Sequence, residues 1–450
     1  MPKYLPALFV SVGIYLATWP APLRAQTGDC FTLAAGCLDT SFGANSNGEI
    51  ATRLGTYAYA KAVALESVPQ PDGTFATKIV AATQAYTNGN PVFAVARYNL
   101  DGTVDGTFNG TGIVVSNKPG YVQSIAIQTD GKILVAGFTS NAVRFNLDGS
   151  VDTSFGSNGA ISIPVTRTSN PAVYAIAIQS DGKIVLAGST TGMAAWRFNL
   201  NGTPDTTFAS GGSTVLSFGK GSSSRALALT LQNVPVSGGS EQRIVLGGWA
   251  TSATKSTKTG GYDNFAVARL TSAGQLDNSF GSGGEVVTTI APLNDVIRSV
   301  VIDSQNRIVA GGYANFTGSY VFALARYNTN GSPDLSFGSS GATTLRILPG
   351  SNYGFALALQ PDGNILLAGS AYNSANKSYQ AVVRFTSLGA LDGTFGSGGF
   401  VTTDFASFGA VGADGNAMAL QPDGKIVVAG EVQLVIMPSS SEAGLARYLP

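Results

Sequence analysis

The chain has 450 residues, of which 12% are charged, 57 are glycine and none is histidine. Its 26 Lys and Arg balance its 26 Asp and Glu, so it lacks the basic field that supplies non-specific nucleic-acid affinity, and no nucleic-acid partner is expected. Without histidine, Ser-His-Asp and Cys-His sites are impossible; with Cys30 and Cys37 as the only thiols, a Cys-rich zinc site is excluded too. No metal and no cofactor is expected.

Residues 1–25 carry Lys3, an apolar run over 5–19, Pro20 and then Leu23-Arg24-Ala25 before Gln26. This is the pattern of a secretory signal cleaved after Ala25, since the apolar run falls short of the roughly 20 residues that span a bilayer. Export to the periplasm or the extracellular space follows, with no transmembrane segment in the mature protein. In an oxidising compartment Cys30 and Cys37 are expected to form a disulfide in the N-terminal segment 26–37. A redox pair would instead want Cys-x-x-Cys spacing.

From 38 to 450 the chain repeats. Six arginines are each followed eight residues later by an aspartate: Arg97 and Asp105, Arg144 and Asp152, Arg197 and Asp205, Arg269 and Asp277, Arg326 and Asp334, Arg384 and Asp392. Asp39 has no upstream arginine and Arg447 no downstream aspartate, as a repeat ring cut at one point would leave, so these two should meet. Each unit of about 59 residues reads as a short strand after a Phe-Gly phrase, as over 160–164, then strands over 175–179, 183–188 and 194–198. Asp-Gly between two β-rich runs, at Asp130-Gly131, Asp181-Gly182, Asp362-Gly363 and Asp423-Gly424, marks a tight hairpin. The expected fold is all-β: a seven-bladed β-propeller with four antiparallel strands per blade, its ring closed between the N- and C-terminal ends. A β-solenoid is the rival, but its coils are usually shorter and lack a regular hairpin.

The phrases at 151–156, 179–188 and 325–328, with the pattern Asp-x-Ser-Phe-Gly, Gln-x-Asp-Gly-Lys-Ile and Ala-Arg-Tyr-Asn, resemble the delta-60 repeat family of secreted bacterial β-propeller proteins. The resemblance covers about nine tenths of the chain and implies a propeller and export, but no activity. The fourth unit departs from it, with Glu241-Gln242-Arg243 at the hairpin turn and Ala209 after Phe208; the fifth has Ser304-Gln305-Asn306-Arg307.

A residue type present in every unit is expected to hold units together. The arginine, on an apolar strand, needs an acceptor, and the aspartate is the obvious one; Phe42, Phe108, Phe155, Phe208, Phe280, Phe337 and Phe395 are read as apolar wedges. The connector 146–152 faintly resembles a calcium loop, but Thr271–Asp277 and Thr386–Asp392 keep only the final aspartate, so a turn is the better reading. Acidic residues outside the repeats, Glu49, Asp263, Glu285, Asp295, Asp404, Asp414 and Glu431, are what an enzyme acting on a glycan would have to use. Variable loops are expected over 83–92, 189–193, 249–264, 313–320, 370–379 and 431–442, and these carry Tyr86, Trp249, Tyr262, Tyr313, Phe316, Tyr320, Tyr372 and Tyr379. Aromatic residues of this kind suit glycan or protein contact. The functional expectation is an exported binding or interaction scaffold whose variable-loop face takes a glycan or protein ligand. The alternatives are a glycan-active enzyme with carboxylates at the central mouth, and a structural surface protein.

Overall fold

The computed structural model describes residues 34–54, 57–139, 141–163, 171–219, 222–251, 261–434 and 440–450. The signal sequence expected over 1–25 and Cys30 lie outside them; Cys37 is buried. Among the described residues no helix is long and apolar enough to cross a membrane, and helical structure is confined to the 3-10 turn Ala406–Phe408.

The strands form six antiparallel sheets, five of four strands and one of seven. In the larger sheet Ile113–Ile127 serves two four-stranded units: its first half is the last strand of one and its second half the first strand of the next. The architecture is all-β and propeller-like, with a four-stranded antiparallel sheet as the repeated element. The third unit shows the plan. Ala172–Ile178, Ile184–Ser189, Met193–Phe198 and Ser213–Val215 lie side by side in chain order. The first two are joined by the Asp181-Gly182 turn, with Gly182 at φ 81° and the Gln179 N–H donating to Lys183 O at 2.8 Å.

This pairing corrects the phase of the sequence repeat. The short strand after each Phe-Gly phrase does not open the next unit; it is the outer edge of the sheet just completed, paired with the arginine-bearing strand. The consequence falls at the chain ends. Glu49–Thr52, which follows the first Phe-Gly phrase, pairs with Ser440–Tyr448, Glu49 opposite Ala446 and Thr52 opposite Ala443. The last unit therefore takes its fourth strand from the N-terminal end.

Ile184, Val185, Leu186 and Ala187 all have 0% exposure, because both faces of the sheet are covered; that is why the second strand reads as an unbroken apolar run. The apolar contacts lie between neighbouring units. Val185, Ala187 and Ala195 of the third meet Ala226, Ile244 and Leu246 of the fourth, and Val427, Ala429 and Leu445 of the last meet Ala60, Ile79 and Ala81 of the first. Alanine on one side lets sheets approach closely, while each buried Val, Leu or Ile contributes about 1.5–3 kcal/mol.

On the variable face the strands run further than expected. Where a loop was expected over 83–92, Phe75–Thr87 and Asn90–Tyr98 meet at a two-residue Asn88-Gly89 turn. The same extension puts Tyr86, Trp249, Tyr313, Tyr320, Tyr372 and Tyr379 at strand ends, where ladder bonding fixes their backbones. In the fourth unit Glu241-Gln242-Arg243 is not the turn: Ser224–Val236 and Gly239–Thr251 pair past it and turn at residues 237–238.

Candidate functional site

The charged ladder recurs in every unit. On each third strand an arginine Nε donates to Oδ2 of the aspartate eight residues on: Arg97 to Asp105 at 2.9 Å, Arg144 to Asp152 at 2.9 Å, Arg197 to Asp205 at 2.7 Å, Arg269 to Asp277 at 2.8 Å, Arg326 to Asp334 at 2.8 Å and Arg384 to Asp392 at 2.7 Å. Arg447 Nη2 lies 2.9 Å from Asp39, joining opposite ends of the chain. The other aspartate oxygen accepts from the Ser or Thr two residues on; Thr107 donates to Asp105 from N at 3.2 Å and from Oγ1 at 2.7 Å. Burial alone would raise the carboxyls of Asp105 and Asp277, but these bonds and the cations outweigh it and hold both below the usual range.

Phe42, Phe108, Phe155, Phe208, Phe280, Phe337 and Phe395 each lie under a ladder guanidinium, from 4.2 Å for Arg144 over Phe155 to 4.8 Å for Arg384 over Phe395. They are cation–π partners as well as wedges. Arginine Nη1 crosses to the next unit, Arg97 to Leu147 O at 3.0 Å, Arg144 to Leu200 O at 2.6 Å and Arg269 to Thr329 O at 2.6 Å; Arg447 Nη1 bonds Leu100 O. With donors and acceptors engaged in these bonds, the ladder serves cohesion and offers little to a ligand.

The other polar centre arises from a bulge. Each first strand slips register at the same place, putting two residues opposite one; that of the last unit slips a second time between Ala410 and Gly412. The extra residues are Lys61, Gln123, Tyr174, Leu227, Arg298, Phe355 and Asn416, one from each unit, and together they line a cavity of about 80 Å³. Glycine on the second strand makes room: a Cβ at Gly188 would lie 1.8 Å from Ala172 O, and one at Gly430 would lie 1.6 Å from Asp414 O.

Tyr174, Leu227 and Arg298 also line a wider cavity of about 260 Å³ toward the variable face, with Arg225, Trp249, Asp263, Asn294, Val296, Tyr313 and Tyr320. Trp249, Tyr313 and Tyr320 are thus brought together as the sequence suggested. Tyr313 meets Tyr320 and Tyr353 edge-on, each at 5.1 Å, and Tyr353 lies 5.0 Å from Tyr320 and 6.0 Å from Tyr372. Tyr353, absent from the expected set, joins the cluster. The remaining candidates lie elsewhere. Tyr86 packs on Tyr57 at 6.2 Å, Tyr262 is exposed off the cavity wall, Phe316 borders a separate hollow with Arg346, and the Tyr379 hydroxyl accepts from Asn373 at 3.3 Å.

The cations of this centre differ from those of the ladder. Arg225 Nη1 donates to the Tyr174 hydroxyl at 2.9 Å and its guanidinium lies 5.6 Å from the Trp249 ring. Arg298 lies 5.3 Å from the Phe355 ring; burial presses its pKa down and the charge of Arg225 adds to this, against the pull of Tyr313 and Tyr174. Lys61 Nζ donates to Asn416 Oδ1 at 3.4 Å, and its pKa is lowered by burial and then by Arg298.

The carboxylates outside the repeats are mostly engaged structurally. Glu49 accepts from Ser407 at 2.7 Å, Asp404 pairs with Lys377 at 3.2 Å, Asp295 caps the Ile290 and Ala291 N–H groups, and Glu285 opens an outer strand. Asp263 stands on the cavity wall, its carboxyl raised by burial. Asp414 and Glu431 sit opposite one another on paired strands of the last unit; burial, and then the charge of Asp414, raises Glu431. Asp148 spends Oδ1 on Ser150, accepting from N at 2.9 Å and Oγ at 2.7 Å, as a turn residue does. Among the described residues no cluster of three His, Cys, Asp or Glu side chains could hold a metal ion.

A family model described as "Domain of unknown function (DUF5122) beta-propeller" matches residues 70–108, 128–155, 179–208, 243–280, 305–337, 360–395 and 421–450, seven segments that make up more than half of the chain. No curated protein matches it. Similar solved structures include a protein of unknown function from Dyadobacter fermentans (11% identity, 89% of this chain and 97% of that one, TM-score 0.39). They also include a glucose dehydrogenase (11%, 73% and 96%, 0.38) and a polysaccharide lyase (12%, 87% and 90%, 0.45). At these scores the likenesses carry no argument about activity.

Proposed function

The chain belongs to the DUF5122 β-propeller family, and on that premise we propose that it is an exported binding propeller, its seven sheets closed into a ring, that takes a saccharide at the variable-face mouth of the central cavity. The observation that carries this is the aromatic wall. Trp249, Tyr313 and Tyr320 converge on a hollow of about 260 Å³ that also carries Asn294 and Asp263, and flat apolar rings beside a few fixed polar groups suit a sugar ring. The Asp39–Arg447 pair and the strand Glu49–Thr52 on the last unit support the ring. The delta-60 resemblance and the leader-like residues 1–25 support export, and an oxidising compartment keeps the Cys30–Cys37 bond in the proposal.

The test is titration of the purified mature protein with neutral and acidic oligosaccharides, beside Trp249→Ala and Tyr320→Ala. Saturable binding lost in both variants, which should remain folded because neither residue is in the buried core, supports the reading; binding unchanged in both refutes it. A second reading, glycan turnover, is favoured by the facing Asp414 and Glu431 next to Lys61. New reducing ends formed by the parent and not by Glu431→Gln would establish it.

A further inference from the structure

The ladder cations are answered by carboxylates. Each ladder arginine has its aspartate, and Arg243 and Arg307 pair with Asp277 and Asp334 at 3.2 and 2.9 Å. At the cavity Lys61 bonds Asn416, and two arginines, Arg225 and Arg298, stand apart from the ladder pattern. Among the described residues neither has a carboxylate at ion-pair distance. Arg225 spends one donor on a tyrosine hydroxyl, and Arg298, half-buried on the cavity wall, donates no hydrogen bond to the described residues and lies against the Phe355 ring. The internal segments outside the described residues add no Asp or Glu to the chain; they carry Arg167, Lys220, Lys255 and Lys258. Asp263, on the same wall, is beyond ion-pair distance of either guanidinium.

Two like charges on one cavity wall repel, the more so where the wall excludes part of the water. Water solvates such a pair in the free protein, and an anion that bonds both forks relieves the repulsion with strong, directional hydrogen bonds. Resting on the saccharide reading above, we infer that the ligand is acidic: a uronate-type sugar whose carboxylate bonds Arg298 and Arg225 on the cavity floor while its ring lies against Trp249 and Tyr320. The lining joins the two halves of this arrangement, since Arg225 lies over the Trp249 ring and both arginines share one cavity with Tyr320. A carboxylate is preferred to a bulkier polyanion because the floor narrows to about 80 Å³ beyond Arg298.

The experiment is calorimetric titration of the mature protein with a galacturonic acid trimer and with the same trimer after reduction of its carboxyls, at two salt concentrations, beside Arg298→Gln and Arg225→Gln. Unfolding temperature is followed with and without sodium sulfate. The acid trimer should bind at least about tenfold more tightly than the neutral one, the scale of one charge-assisted hydrogen bond. That preference should shrink with salt and vanish in Arg298→Gln. Without ligand, Arg298→Gln should unfold at little altered temperature, since the arginine has no bond to lose; a structural role would instead show as a large drop.

Equal affinity for the two trimers, or a preference that survives in both variants, overturns the acidic assignment and leaves the saccharide reading standing. If neither trimer binds but sulfate stabilises the parent and not Arg298→Gln, the saccharide reading falls and an anion site remains. No response to any of the three overturns both.

Discussion

Asp295 offers a test of how burial sets stability in this fold. It is wholly buried at the start of a first strand; Oδ2 accepts from the Ile290 and Ala291 N–H groups at 2.7 and 3.0 Å, while Oδ1 has no partner. Asn352 holds the same place in the next unit. It accepts from Ile347 and Leu348 at 2.9 and 3.1 Å, and its Nδ2 donates to Leu348 O and Gly350 O at 3.0 and 2.7 Å. An ionised Asp295 has no side-chain donor to offer in that place. Burial lifts the Asp295 carboxyl from 3.8 to about 7 against the pull of its backbone donors. The folded state thus keeps a proton that the unfolded chain has released. The resulting stability is whole below pH 4 and is lost as the pH rises to 7, at about 1.4 kcal/mol per unit. From pH 5 to pH 8 the loss comes to about 2.5 kcal/mol. Asp295→Asn removes this dependence and restores the missing donors. In urea unfolding the advantage of the variant over its parent should be about 2–3 kcal/mol larger at pH 8 than at pH 5. A gap of the same size at both pH values would refute the argument.

Arg97→Met should cost about 3–5 kcal/mol in urea unfolding, because it strands Glu66, which has 0% exposure and pairs with Arg97 at 3.2 Å. Adding Glu66→Gln should recover part of that loss, since other units place Gln128, Gln179 or Gln232 against the ladder arginine; a double variant no better than the single one would contradict this. The seven ladder aspartates, Asp39, Asp105, Asp152, Asp205, Asp277, Asp334 and Asp392, all have depressed pKa values. Their contribution is whole above about pH 4 and is lost as the pH falls through the depressed values. Circular dichroism should therefore show one steep acid transition below about pH 4, and a gradual drift would argue that the ladder is dispensable. Ile50→Asp places a charge on the strand that the N-terminal end lends to the last unit, opposite Leu445. It should lower the unfolding temperature of the whole domain, and an unchanged value would mean that this strand does not hold the sheets together.

The ladder and the hairpins were legible because they are repeated: the same arginine, aspartate, phenylalanine and Asp-Gly recur wherever the same backbone contact must be made. The phase of the sheets was not legible, since a short strand after Phe-Gly can pair backward or forward, and the observed registers, Ser213 with Trp196 and Glu49 with Ala446 among them, decide it. Trp249, Tyr313 and Tyr320 share one cavity wall, while Tyr86, Phe316 and Tyr379, which carry the same aromatic signal in the sequence, make other contacts. Arg225, Arg298, Tyr174 and Tyr353 escaped notice because they sit inside strands that look like scaffold.

A signal for them did exist. In every first strand the bulged residue is followed by a small one, Ala62, Ser124, Ala175, Ala228, Ser299, Ala356 or Ala417, and then by alternating apolar residues that differ little between units. The residue just before the small one is Lys, Gln, Tyr, Leu, Arg, Phe and Asn in turn. The backbone there is held by the bulge and, in every unit but the first, which has Thr83, by the second-strand glycine that gives it room, so the side chain can vary without disturbing the sheet. Cohesion demands uniformity at the ladder and binding demands difference at the cavity. A propeller meets both demands in one repeat by assigning them to separate positions of the same sheet. The place to look for chemistry in such a chain is therefore the position where its repeats disagree while their backbones agree, and in this protein that position holds Arg298.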